Sequence, residues 1–382
     1  MIRAAACAFA VHLLLVVPAA AATPATWSTD LHVAGAVDVS VPRSDGRLVV
    51  SGGGRLWLLD RRTYDLAPFA AGPDGYRGGS GDEPYVALST GLAVGGAGCS
   101  FAPDEVYVIE QGPHAVRRID AGGRAHPFAQ VDGVESLSGI AFDTTGRFGG
   151  RLLVIGPSRG ATAVVAIDCR GRAEHITERA PVMEGGIAVA PAGFGGDLVA
   201  ADELSGQILA VRPDGGTATV ARSGLPAGGD VGVEGVGFVP AGFGAGGTAY
   251  FADRSTPGNA HPGTDSLLRL GSRELAAAGV RDGDLLAATE GGARTVAVRC
   301  ASTCQVFEVA AGPPQAHGEG HLIALADRPP PPAAALPEAA DLGAAARTQA
   351  LVTRLAAGLL GAAALAVAVW LGVRLRRRRH AR

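Results

Sequence analysis

Residues 186–216 read GIAVAPAGFGGDLVAADELSGQILAVRPDGG, and the rest of the chain can be read outward from them. A glycine opens a short alternating run, Gly186-Ile-Ala-Val-Ala-Pro, and a Gly-rich turn follows. Then come Asp197-Leu-Val-Ala-Ala-Asp and Gly206-Gln-Ile-Leu-Ala-Val, closed by Arg-Pro-Asp-Gly-Gly. Period-two alternation punctuated by Asp-Gly predicts antiparallel hairpins. The opening run recurs as Gly98-Cys-Ser-Phe-Ala-Pro, Gly139-Ile-Ala-Phe-Asp and Gly235-Val-Gly-Phe-Val-Pro, at spacings of 41, 47 and 49. Weaker copies stand at Gly35-Ala-Val-Asp and Gly283-Asp-Leu-Leu. Second and third strands are expected at Arg47 and Arg55, Val106 and Ala115, Arg151 and Ala163. Six starts spread over 248 residues suit blades of four strands. The expected fold is all-β, a six-bladed β-propeller over residues 30–326, with a two-sheet sandwich as the alternative arrangement of the same strands.

Composition agrees with a turn-rich β protein: 57 of 382 residues are glycine and only 18% are charged. All 33 basic residues are arginine, which reads as genome composition. Eight of those arginines lie in the two ends of the chain, where no acidic residue occurs. The body therefore carries 25 arginines against all 36 carboxylates, a net charge of −11. Such a surface repels phosphate backbones and argues against nucleic-acid binding.

The two ends predict where the protein sits. Residues 1–22 combine Arg3, an apolar run and Ala20-Ala21-Ala22, the pattern of a cleaved secretory signal peptide; Cys7 leaves with it. Residues 355–373 are 19 residues without charge, about 28 Å of helix, enough to span a membrane. The block Arg374-Leu-Arg-Arg-Arg-Arg-His that follows is expected in the cytoplasm as a basic tail, 374–382. Residues 327–350 hold four consecutive prolines and read as a stalk. Leu336-Pro337-Glu338 before that helix faintly resembles a sortase-type sorting signal. The expected localisation is the cell membrane, single-pass, with the body extracytoplasmic.

The stretches LVAADELSGQILAVRPDGG (198–216) and DGRLVVSGGGRLWLLD (45–60) resemble the repeating unit of NHL-type six-bladed propellers. More distantly they resemble the gluconolactonase and glucose/sorbosone dehydrogenase families. The likeness covers roughly residues 30–326. The gluconolactonase likeness implies a metal held in channel loops by a Glu, an Asn and an Asp. This chain has Glu234 where that likeness would place the Asn, and its only asparagine is Asn259.

Four cysteines remain in a disulfide-permitting compartment. Cys300 and Cys304 flank Ala-Ser-Thr between two strand-like runs and are expected to close a tight hairpin, or to hold a metal as a thiolate pair. Cys99 and Cys169 pair by elimination. Gly242-Phe-Gly-Ala-Gly-Gly247 matches the dinucleotide-binding spacing, but a strand follows it instead of the helix that motif needs. A G-x-S-x-G elbow is lacking.

Carboxylates precede several first strands: Glu135, Glu184, Glu234 and Glu319. Since first strands line a propeller's channel, these groups are expected either to ring one mouth and hold Ca²⁺ or another divalent metal, or to be solvated turn residues. In His317-Gly-Glu319-Gly-His321, residues two apart on a strand point the same way, so both imidazoles and the carboxylate could converge on a metal. The loop Arg254–Asp265 is the longest insertion within a blade. The expected role is a non-catalytic one, binding of an extracytoplasmic protein, glycan or small ligand. The alternative is a metal-dependent lactonase-like hydrolase or sugar dehydrogenase.

Overall fold

The computed structural model describes residues 23–327 apart from 80–81 and 192–193. The expected signal peptide, spanning helix and basic tail, and all but the first residue of the stalk, lie outside the described residues. Among the described residues no helix is long and apolar enough to cross a membrane.

Strand β1 (Ala25–Thr26) comes first. Blade I is β2 (Ala36–Pro42), β3 (Leu48–Gly52), β4 (Arg55–Leu59) and β5 (Leu66–Phe69). Blade II opens with β6 (Val86–Leu88). A small hairpin follows, β7 (Ala93–Val94) and β8 (Cys99–Ser100), before β9 (Val106–Glu110), β10 (Ala115–Ile119) and β11 (Ala125–Gln130) complete the blade. Blade III is β12 (Gly139–Phe142), β13 (Leu152–Ser158), β14 (Ala161–Ile167) and β15 (Ala173–Ala180). Blade IV is β16 (Glu184–Val189), β17 (Leu198–Asp202), β18 (Gln207–Val211) and β19 (Thr217–Arg222).

The last two blades are interleaved. After β20 (Val233–Phe238) the chain forms β21 (Gly247–Asp253) and β22 (Ser266–Gly271) of the next blade, then a short helix, α1 (Ser272–Ala277). It returns to pair β23 (Leu285–Thr289) with β20, and adds β24 (Thr295–Cys300) and β25 (Cys304–Ala311) to blade V. It ends in β26 (Gly318–Ala326), the inner strand of blade VI, paired with β21. The N-terminal segment fastens both blades. Strand β1 runs parallel to β25, Trp27 Nε1 donates to Thr295 Oγ1 at 3.0 Å, and Ser28 and His32 bridge to β22.

The six inner strands, β2, β6, β12, β16, β20 and β26, pack in a ring around a central channel, an arrangement that excludes a two-sheet sandwich. At several glycines they approach too closely for side chains. A Cβ on Gly237 would lie 1.7 Å from the Leu322 carbonyl oxygen, and one on Gly186 would lie 2.2 Å from that of Gly320. Aspartates close the turns between third and fourth strands: Asp120 accepts from the N–H groups of Gly122 and Arg124, Asp168 from those of Arg170 and Arg172, and Asp214 from that of Gly216. These Asx turns end the apolar strands whose residues form the inter-blade cores.

Two of the six expected starts are corrected. Gly98 opens β8 of the inserted hairpin, because the true inner strand of blade II begins with Tyr85-Val-Ala-Leu after a proline instead of a glycine. Gly283 precedes β23, a second strand, because the interleaving places β21 and β22 ahead of it. Both disulfides are present. Cys300–Cys304 closes the β24–β25 hairpin, and Cys99–Cys169 ties the inserted hairpin to the end of β14.

Candidate functional site: an acidic channel mouth

Inner strands carry the chain through the channel and second strands bring it back. Residues just before or at the start of an inner strand and residues just after a second strand therefore reach the same mouth. The first tier supplies Glu83 and Tyr85 (β6), Glu184 (β16), Glu234 (β20) and Glu319 (β26). The second supplies Gln111 after β9, Glu203 after β17, Arg254 after β21 and Glu290 after β23.

Main-chain bonds hold the two tiers together on the blade V–VI side. The N–H of Gly318 donates to the Glu290 carbonyl at 2.7 Å and that of Arg254 to the His317 carbonyl at 2.8 Å. Asp253 accepts from the His317 N–H at 2.8 Å. His317, Glu319, Glu234 and Glu290 are 2%, 4%, 4% and 8% exposed. Glu203, Glu83 and Arg254 are half-buried, and Glu184 is exposed at the rim.

The side chains form one network. His317 Nε2 lies 2.7 Å from Glu290 Oε1 and 3.5 Å from Glu319 Oε1. Glu319 also meets Arg254 Nη1 at 3.2 Å, and the same guanidinium nitrogen pairs with Glu83, which Gln111 braces from the far side. Tyr85 Oη sits 2.9 Å from Glu234 Oε1 and 3.0 Å from Glu319 Oε2. One hydroxyl has one proton to donate, so one carboxyl must donate to the phenol.

Glu234 is that donor. Burial, then the charges of Glu319, Glu184 and Glu290, push its carboxyl far above the usual range. Burial and a hydrogen bond with Glu290 raise Glu203 to about 8; two carboxyls bond only by sharing a proton. Burial pulls His317 down, but hydrogen bonds and charge from Glu290 and Glu319 outweigh it and hold the imidazole up at about 10. Glu83 is also raised, by burial first and the Glu319 charge second. The wall thus holds six glutamates against one arginine and one imidazolium, and stores protons where it lacks cations.

The structure places the sequence-expected residues unevenly. Glu184, Glu234 and Glu319 share this mouth. Glu135 does not join them: its side chain is exposed and Oε1 accepts from the Arg159 N–H at 2.9 Å. His321 does not join His317 and Glu319. Gly320 takes φ +68° and the β21–β26 register slips there, a bulge that breaks the two-residue alternation and turns His321 down the channel. There its Nδ1 meets Asp38 at 2.8 Å. Glu290 takes its place: ligand atoms of Glu290, His317 and Glu319 all lie within 4.8 Å of one another. This donor set fits a divalent cation, being buried, carboxylate-rich and centred on one imidazole.

No sequence family and no curated protein matches this chain. Among solved structures, virginiamycin B lyase from Staphylococcus aureus is 10% identical, covering 74% of this chain and 89% of that one with a TM-score of 0.40. A putative gluconolactonase is 11% identical over 80% and 96%, with a TM-score of 0.41. A Bacteroides thetaiotaomicron protein of unknown function is 11% identical over 77% and 65%, with a TM-score of 0.45. The likeness is one of fold.

Proposed function

We propose that this chain is a membrane-anchored, extracytoplasmic propeller that holds a divalent cation at its acidic mouth and there binds a small oxygen-rich ligand, such as a glycan end. The observation that carries the reading is the buried Glu290–His317–Glu319 triad, set in a wall whose carboxyls retain protons for want of positive charge. Glu319 and Glu290 would hold the cation through oxygen and His317 through nitrogen, a mixed set suited to Mn²⁺ or Zn²⁺ ahead of Ca²⁺. The cation would supply positive charge and a coordination position for a ligand oxygen. Arg254 orients Glu319, and Tyr85 with neutral Glu234 fixes its other oxygen. Anchoring rests on the signal-peptide pattern and the apolar segment 355–373.

Metal analysis and thermal unfolding of the purified full chain test this. Mn²⁺ should raise the unfolding midpoint of the wild type and not of Glu319→Gln or His317→Gln. No bound metal, and no shift with Mn²⁺, Zn²⁺ or Ca²⁺, overturns it.

A second reading, a metal-dependent lactonase-like hydrolase, is favoured by Glu203. Its carboxyl titrates at about 8 beside Glu290, a range suited to proton transfer near neutral pH. Turnover of a simple lactone with a pH–rate limb near that value, absent in Glu203→Gln, would support it; no turnover by the metal-loaded protein would dismiss it.

A further inference from the structure

The far end of the same channel is built differently. Past the bulge at Gly320, the inner strands of blades I, II, III, IV and VI enclose a cavity of about 180 Å³. Its wall is aliphatic and aromatic, with Val39, Leu88, Phe142, Ile187 and Ile323 among the lining side chains. Among the described residues no carboxylate or arginine lines it. The one titratable side chain there is His321, and Asp38 neutralises it: Nδ1 meets both Asp38 oxygens, at 2.9 and 2.8 Å. Asp38 also accepts from the N–H groups of Val39, Val86 and His321 at 2.8, 2.7 and 2.8 Å. This cross-link joins blades I, II and VI across the channel and floors the cavity. At the rim, Thr90 and Thr144 are exposed, and their hydroxyls make no side-chain hydrogen bond among the described residues.

We propose that this cavity is a second binding site, for a neutral molecule with one aromatic or cycloaliphatic ring and a hydroxyl. The volume sets the ring count: an apolar cavity of about 150 Å³ takes one benzene-sized molecule. The wall sets the apolar character, since burying a ring against Val, Leu, Ile and Phe yields about 25 cal/mol per Å². The balanced His321–Asp38 floor excludes a net charge, because either sign would enter unpaired. Thr90 and Thr144 supply the partners for a hydroxyl held at the mouth. The site is independent of any cation at the opposite end.

Benzyl alcohol and cyclohexanol are the probes, and the full-length protein is the sample. Each should raise the unfolding midpoint in a saturable manner, and the crystal structure with benzyl alcohol should show its ring among Leu88, Phe142 and Ile187. Ala188→Phe, which fills the cavity from β16, should weaken the response at least tenfold while the Mn²⁺ response at the other mouth survives. Should Ala188→Phe fail to fold, Thr144→Val at the exposed rim replaces it, with affinity for benzyl alcohol falling several-fold and affinity for toluene unchanged. Benzoate and benzylamine should bind at least tenfold more weakly than benzyl alcohol. The proposal is overturned if the probes give no saturable shift, if Ala188→Phe folds and responds as wild type does, if Thr144→Val leaves benzyl alcohol affinity unchanged, if the charged analogues bind equally well, or if the ring is found elsewhere.

Discussion

Glu203→Gln is expected to stabilise the protein at alkaline pH and to leave it unchanged near pH 4. In the folded chain the Glu203 carboxyl keeps its proton up to about 8, because it is desolvated and shares that proton with Glu290. In the unfolded chain the proton leaves near the ordinary value of 4.5. The folded state binds it more tightly, so this contribution to stability is complete below the unfolded value and is lost as pH rises from there to about 8. At 1.36 kcal/mol per pH unit the gap sets a ceiling of about 5 kcal/mol. Water reaching a half-buried carboxyl brings this to about 2 kcal/mol. Glutamine keeps the shape and a donor toward Glu290 but never ionises, so the variant escapes the loss. Calorimetry in a chelator should show equal midpoints near pH 4 and a variant roughly 3–6 °C higher at pH 8.5. His317 also loses its contribution as pH climbs from 6.5 toward about 10; it does so in both proteins and cancels. An equal difference at both pH values, or a variant less stable at pH 8.5, would refute the shared-proton argument.

Tyr85→Phe removes the hydroxyl between Glu234 and Glu319 and should cost about 1–3 kcal/mol in urea unfolding, the penalty for a buried polar group left unpaired. Gly237→Ala places a methyl on the Leu322 carbonyl; it should lower stability by at least about 3 kcal/mol and show as loss of soluble protein or a sharply reduced midpoint. Replacing both Cys99 and Cys169 by Ser should cost about 2–4 kcal/mol, because that bridge closes a loop across 70 residues. Replacing Cys300 and Cys304, four apart, should cost less, as paired midpoint measurements would show.

Much of the fold is written in local pattern, and the departures have physical causes. The unit at 186–216 folds as read, since Asp202 and Asp214 hold turns that fix strand ends. The pattern misplaces blade II because Glu83-Pro-Tyr85 opens an inner strand without glycine, while Gly98 opens a hairpin that only looks like one. The interleaving of blades V and VI leaves no local mark, because exchanging the partners of two hairpins changes no residue's alternation. At the mouth, Glu184, Glu234 and Glu319 are legible as carboxylates before strands, while Glu83 is not, because the strand it precedes opens without the glycine that marks the others. Glu203, Arg254 and Glu290 were not, because each stands where a strand runs into a turn, and a charged residue there usually signals only solvent. The usable signal was topological: once Gly206 and the strand at 207–211 mark 198–202 as a second strand, the residue after it must face the mouth.

The same geometry explains why the cluster is hard to read as mere packing. A buried carboxylate is tolerated when a cation pairs with it, and a carboxyl left without one keeps its proton. Here Arg254 and His317 satisfy Glu319, Glu83 and Glu290, yet Glu234 and Glu203 still hold protons, so the wall carries more acid than its own bases can balance. Leucine or glutamine at these places would fold at less cost. Contrast the His321–Asp38 pair, where three main-chain N–H groups and one imidazole satisfy a single carboxylate and no excess remains. That pair is a structural cross-link, whereas the excess acid at the mouth above it is what a bound cation would balance, so added Mn²⁺ should raise the unfolding midpoint through Glu319 and His317 and not through Asp38.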